Sequence, residues 1–328
     1  MTFSDWLLSL HLLSAFALVS SLVLFWYLIV VWRNADTPEA TLAGGRPAQI
    51  GHKLIIAGII GTIVFGLWLA IDRAHIEVWS GWVIIAIVLW AIGSETGRRA
   101  GVEYQKAMDK AEELQAAGHT GSNADLLALN RTSRGLQLHT ISTIAIALLL
   151  VDMIVKPGAS DLPPPSSWNL PLLVHVTGAM ILVGGMLAAA TALISAHGDE
   201  KRLRLGYYSL LFVAFPGMIL TKLGATLIWS KESPHSLIGA AFPHRDDPNW
   251  IMIGGTVLDG GGGLLVLGLI LGWFGLRRMD GRENDFLAKV PVLKKMTGET
   301  LLKLTTIISV VLLAGYVAVI WAMGAKPG

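Results

Sequence analysis

Long apolar runs separated by short polar connections dominate the chain. A membrane crossing needs about 20 mostly apolar residues. Eight runs meet that expectation: 6–32, 54–71, 79–97, 137–155, 171–196, 205–229, 250–276 and 301–324. They predict an all-α membrane protein with eight transmembrane helices. The second run is short, because Asp72 and Arg73 stop it. Pro216 falls inside the sixth, where neighbouring helices can satisfy the freed carbonyl, so a kink is expected and not an end. Trp6, Trp79, Trp82, Trp168, Trp229 and Trp250 sit near the ends of the runs, as interfacial anchors do. Between the third and fourth runs, Tyr104, Ala107, Met108, Ala111 and Leu114 recur at helical spacing and predict a separate amphipathic helix over 101–117. Ser122-Asn-Ala-Asp125 reads as a capping box opening another short helix.

The runs also repeat. His11, Ala15, Leu18 and Val19 recur in register as His175, Ala179, Leu182 and Val183, and Ser14, Ser20 and Ser21 recur as Gly178, Gly184 and Gly185. Leu138-His-Thr-Ile141 resembles Leu304-Thr-Thr-Ile307, and Lys156-Pro-Gly158 matches Lys326-Pro-Gly328. Self-similarity of this kind signals a duplicated unit. The expected organisation is a four-helix repeat over 1–160, an extracytoplasmic Pro-rich linker over 161–170, and a second repeat over 171–328. Asp161-Leu-Pro-Pro-Pro-Ser-Ser167 supplies a stiff spacer.

Composition agrees with a membrane setting. Charged residues make up 15% of the chain, below the roughly 25% of soluble domains, and mean hydropathy is +0.61. Eighteen Lys and Arg fall in the connections 33–53, 98–136, 197–204 and 277–300. Only Arg73, Lys156, Lys231, Arg245 and Lys326 fall on the other side. The positive-inside rule then places the four basic connections in the cytoplasm and both termini outside. Four spans per repeat give both copies one orientation, a parallel repeat. The first apolar run lacks a positive leader and exceeds a signal-peptide core, so it is expected to remain as a span. The net charge of +2 gives no reason to expect a nucleic-acid partner. The expected partners are the lipid bilayer and a membrane or cytoplasmic protein. Cys is absent, which removes disulfides, cysteine-ligated clusters and covalent haem.

Ionisable groups within spans are costly and functional by default. Lys222 and Asp259 lie about 12 and about 13 Å below one surface on consecutive antiparallel helices, which predicts a buried ion pair. Gly260 to Gly263 follow directly and are expected either to permit close packing or to open the helix. Haem b held between imidazoles would need His pairs on facing helices. His52 with His139 is the candidate inner pair, and His11 with His75 the outer one. A metal site would draw on His175, His235, His244 and Asp246, although their spacing matches no standard motif. No catalytic triad, phosphate loop or dinucleotide fingerprint is present.

His11-Leu-Leu-Ser-Ala15, Gly66-Leu-Trp-Leu-Ala70 and Trp82-Val-Ile-Ile-Ala-Ile-Val-Leu-Trp90 resemble a bacterial family of integral membrane proteins of unknown function, built as His-containing four-helix units. The likeness covers the first half best. A more distant similarity is to copper-resistance D-type and cytochrome-b-like membrane domains. The resemblance implies a bacterial inner-membrane location and adds weight to haem or copper. The leading expectation is an accessory or scaffold subunit of a membrane complex, more readily non-enzymatic than enzymatic. The alternatives are a haem-b electron carrier and a small-solute or ion transporter using Lys222 and Asp259.

Overall fold

The computed structural model describes residues 2–73, 77–159, 162, 165–232, 249–282 and 296–326. Those residues are overwhelmingly helical, with no strand among them. In chain order the helices are α1 (Phe3–Trp32), α2 (Pro38–Ala43), α3 (Gly45–Asp72), α4 (Gly81–Ala116), α5 (Ala124–Asn130), α6 (Ser133–Val155), α7 (Asn169–Ile194), α8 (Glu200–Ser209), α9 (Phe215–Glu232), α10 (Asn249–Met279) and α11 (Gly298–Ala325). Among the described residues, seven segments are long and apolar enough to cross a membrane: Phe3–Trp32, Gly45–Asp72, Ala124–Val155, Ser166–Ile194, Glu200–Lys231, Asn249–Met279 and Gly298–Ala325. The chain is therefore a multi-pass helical membrane protein.

α4 is not one of the seven, although at 36 residues it is longer than any of them. Its apolar stretch gives way at Ser94 to Glu95, Arg98 and Arg99. The expected third span and the expected amphipathic helix over 101–117 are one continuous helix. Tyr104, Ala107 and Ala111 carry its buried stripe onward past the apolar part. The expected cap of α5 also shifts by one residue. Asn123 accepts the Leu126 N–H at 2.9 Å, while Ser122 donates to Asp36 at 2.7 Å. α2 and α5 dock onto the end of α1 through Asn130, whose side-chain amide donates to Ala35 O at 2.9 Å and Thr41 Oγ1 at 2.8 Å. The long connections thus cover their own bundle.

Small residues decide how the long helices meet. Water provides no driving force between helices in lipid, so close backbone contact and hydrogen bonds carry association. α1 pairs with α3, α7 with α9, α4 with α6, and α10 with α11. A Cβ at Gly58 would lie 2.5 Å from Leu18 N and 2.8 Å from Ser14 O. One at Gly217 would lie 2.4 Å from Leu182 N and 3.0 Å from Gly178 O. These two glycines thus serve the same role, α3 against α1 and α9 against α7. α4 and α6 are tied where Ser142 donates to Gly93 O at 2.7 Å, and α10 and α11 where Thr305 donates to Gly268 O at 3.3 Å.

α7 runs through the centre. Its run from Leu182 to Leu193 is buried throughout. The Gly and Ala stripe permits this, since α1 and α9 both approach within backbone contact. Gly184 meets Ser20 O, Gly185 meets Ala214 N, and Ser20 Oγ donates to Met180 O at 3.2 Å. α8 and α9 are joined by a π-helical turn over Leu210–Ala214, just before Pro216. Proline leaves an upstream carbonyl without its donor, and a wider turn accommodates the ring without ending the helix.

Candidate functional site: a chamber between the two helix sets

The α1–α3 and α7–α9 pairs touch through the small residues near Ser20 and Gly184. Nine residues nearer the N-terminus, each of α1 and α7 carries a histidine, His11 and His175. Both histidines border one chamber of about 920 Å³, walled mostly by Leu, Ile, Val, Ala and Met side chains.

The two histidines are held alike. His11 Nδ1 lies 3.1 Å from Thr62 O on α3, and His175 Nδ1 lies 2.9 Å from Thr221 O on α9. A carbonyl can only accept, so each Nδ1 carries the proton, and in the neutral ring each Nε2 keeps its lone pair. Gly66 makes room for the first ring, since a Cβ there would lie 2.9 Å from it. Gly224 makes room for the second histidine's backbone, at 2.3 Å from His175 N. Thr62 and Thr221 follow Gly58 and Gly217 by four residues in both helices. That Gly-x-x-x-Thr spacing was readable in the sequence but attracts no attention until the carbonyls are seen to hold imidazoles.

Beside Thr221, Lys222 also borders the chamber. Its Nζ donates to Asp259 Oδ1 of α10 at 2.5 Å, and the two side chains retain 30% and 29% of their surface. The glycines after Asp259 do not open α10, which stays helical through them. Gly261 admits the Tyr316 hydroxyl and Gly262 the Met218 sulfur, while Gly260 and Gly263 face open space. Packing against α11 and α9 is the role of Gly261 and Gly262.

The chamber's rim is cationic. Arg73, Lys156 and Lys326 cap the C-terminal ends of α3, α6 and α11, and all three line it. Lys156 and Lys326 take the same left-handed conformation, φ 45° and 43°. Each N–H closes its helix at 2.8 Å, on Asp152 O and Ala322 O. Burial and, secondarily, the nearby Arg73 guanidinium hold the Lys156 ammonium below the usual lysine range. Lys326 Nζ sits 5.1 Å from the centre of the Trp250 ring. No acidic side chain is among the described residues that line the chamber.

The remaining candidates lie apart. His52 is exposed on α3. His139 is buried on α6, its ring 4.8 Å from that of Trp26 in an edge-on contact, with Nε2 unpartnered among the described residues. The two imidazoles therefore meet different surroundings. His75, His235, His244 and Asp246 lie outside the described residues. No group of three or more metal-ligating side chains occurs among the described residues. Asp152, inside an expected span and only 6% exposed, escaped the sequence reading, which weighed Lys222 and Asp259 alone.

No family model, curated protein or solved structure matches the chain.

Proposed function

We propose that the protein is a duplicated, eight-span bundle that holds a membrane-soluble molecule in the chamber between its repeats. α4 is the eighth span in this reading, since it runs alongside α6 as α10 runs alongside α11. The repeat is supported by matched contacts: Gly58 with Gly217, Thr62 with Thr221, and the two Lys-Pro helix ends. The basic bias puts both termini and the chamber mouth on the extracytoplasmic side of a bacterial inner membrane. The observation that carries the functional reading is the chamber itself. Bundles built only to scaffold fill their interior at crystal-like density. Here an apolar space of about 920 Å³, half open to its surroundings and the size of a ligand pocket, lies between helices that elsewhere touch backbone to backbone.

The test is to fill it. Ala15 and Ala179 line the chamber from α1 and α7. Native mass spectrometry of the detergent-purified protein should show a non-covalent companion that Ala179→Trp removes while the protein stays folded. An identical companion content in both proteins would return the chain to the accessory-subunit reading.

A second reading rests on the histidines. His11 and His175, and not His52 with His139, share one space, each with a fixed Nδ1–H and a free Nε2 electron pair. Metal-bound imidazoles are commonly oriented by such a carbonyl contact. Haem b would supply electron transfer there, with the rim cations facing its propionates. A Soret band lost in both His11→Ala and His175→Ala would establish it; purified protein without that band after growth with ample haem would exclude it.

A further inference from the structure

α6 hides an acid that nothing answers. Its buried face carries His139, Ser142, Ala145, Leu149 and Asp152, while Ile141, Ile144, Leu148 and Val151 face outward. Asp152 is 6% exposed, its Oδ2 is enclosed without a hydrogen bond, and it forms no ion pair among the described residues. Deeper in the same seam Ser142 donates to Gly93 O, and a Cβ at Gly93 would meet Ile146. That antiparallel register sets Asp152 level with the Val83 to Ala86 stretch of α4, whose charges begin only at Glu95. Trp82 Nε1, at the same end of α4, is likewise enclosed and unpartnered, so not even this donor reaches the carboxyl. α7 and α1 also touch α6; their titratable groups are His175 on the first, and Asp5, His11 and Tyr27 on the second. On α6 itself Arg134 and His139 sit at the opposite end. Lys156, one turn beyond Asp152, lines the chamber, which Asp152 does not.

Three effects oppose a charge at this place. Burial strips the carboxylate of water, no donor replaces that water, and the carbonyls at a helix C-terminus repel negative charge. Packing does not ask for an acid either. α11 closes as α6 does, with Lys326 N–H on Ala322 O and Lys156 N–H on Asp152 O, both at 2.8 Å. Ala322 fills that place with a methyl group and is 2% exposed. We propose that Asp152 is a proton-binding site, a neutral carboxylic acid while α4 lies against α6, and ionised only when the two helices part at this end. Below the ordinary carboxyl range both arrangements are protonated and the acid exerts no preference. Above it, ionisation favours the parted arrangement, so closure weakens as pH rises. Leu149 and Met153, with Val83 and Ala86 across the seam, line the chamber. A parted seam therefore breaches the chamber wall and releases its occupant. That consequence rests on the ligand-holding reading; the proton site does not.

Infrared spectroscopy and paired spin labels on the purified full-length protein test this. Gly81→Cys, where a side chain meets nothing within 4 Å, and Val155→Cys, 41% exposed, carry labels at the two helix ends. At about pH 6, where ordinary aspartates are ionised, the wild type should show a protonated-carboxyl band that Asp152→Asn lacks. Raising the pH to about 9, far above the ordinary aspartate value, should remove that band and add a longer distance between the labels. Asp152→Asn should keep the short distance throughout. Asp152→Ala, which copies Ala322, takes its place if the asparagine variant does not fold. Identical spectra of wild type and variant at the lower pH would mean an ionised Asp152 and overturn the proposal. A band that never titrates, a distance that stays fixed as the band disappears, or the same lengthening in the variant overturns it as well. Native mass spectrometry at both pH values separates the two readings. A companion kept equally while the seam parts overturns the link to the chamber alone. No companion at either pH overturns the ligand-holding reading and leaves the proton site standing.

Discussion

At the scale of single residues, two glycines and one ion pair carry the sharpest expectations. Gly58 and Gly217 face backbone atoms, which cannot swing aside as a side-chain tip can. Gly58→Ala and Gly217→Ala should each cost about 1–3 kcal/mol, the usual penalty of overpacking, read as loss of thermal stability in detergent. Similar losses are expected because the two contacts are alike; a harmless substitution at either would separate their roles. For Lys222 and Asp259, removing one partner strands the other charge. Lys222→Met and Asp259→Asn should each destabilise by about 1–3 kcal/mol, less than a fully enclosed pair because both keep nearly a third of their surface open. The double variant should be less destabilised than the sum of the single losses. Additive losses in that cycle would show no coupling. Their pairing was legible from depth alone: equal distances from one surface on consecutive antiparallel helices leave little else for them to do.

Among the elements, the short helices α2 and α5 have a testable hinge point in Asn130. Its side chain is 1% exposed and bridges Ala35 and Thr41. Asn130→Ala leaves those acceptors dry and should cost about 1–3 kcal/mol, with faster amide exchange confined to 34–44 and 123–131. Glu103 on α4 gives the same region a pH dependence. The hydrogen bond from Lys106, with further help from the charges of Lys106 and Arg134, holds its carboxyl below the ordinary glutamate value of 4.5. A depressed carboxyl contributes its stabilisation fully above the unfolded value. That contribution fades as pH falls through the folded one. The stability of this region should therefore fall more steeply on acidification below about pH 4.5 in the wild type, and Glu103→Gln should lower its neutral-pH stability and flatten that fall. An unchanged acid profile would assign Glu103 no role. The fusion of α4 with the amphipathic stretch was missed because Ser94, Glu95 and Arg98 look like a stop when read against a membrane. In the fold they are the point where one helix leaves the apolar stretch, while its buried stripe of Ala86, Gly93, Ala100, Tyr104, Ala107 and Ala111 runs on unbroken.

For the whole molecule, topology is the decisive measurement. The chain has no native Cys, so single introduced cysteines report cleanly. Thr2→Cys and Ser167→Cys should react with a membrane-impermeant reagent in intact cells, and Ser122→Cys only after lysis. The reverse pattern would invert the orientation, and labelling of positions 2 and 122 with 167 protected would contradict α4 as a span. The chamber mouth lies at the same end as Ser167 and the start of α1, so this labelling also fixes the leaflet from which a ligand enters.

Hydrophobic runs and stripes of small residues determined, from the sequence alone, that this is a helical membrane protein. They also pointed to Lys222 with Asp259, because burial of charge in a span admits few solutions. The histidine repeat was visible as well, but its meaning was not. One-dimensional spacing places His52 and His139 at similar depth and says nothing of helix rotation, which turns one outward and the other onto Trp26. Only the crossing of α1 and α7 at Ser20 and Gly184 brings His11 and His175, 164 positions apart, to one space. Only the convergence of three helix ends makes Arg73, Lys156 and Lys326 a rim. The sequence pattern encodes which faces are apolar or small; which faces meet is set by backbone contacts between helices, and those exist only once the helices are packed.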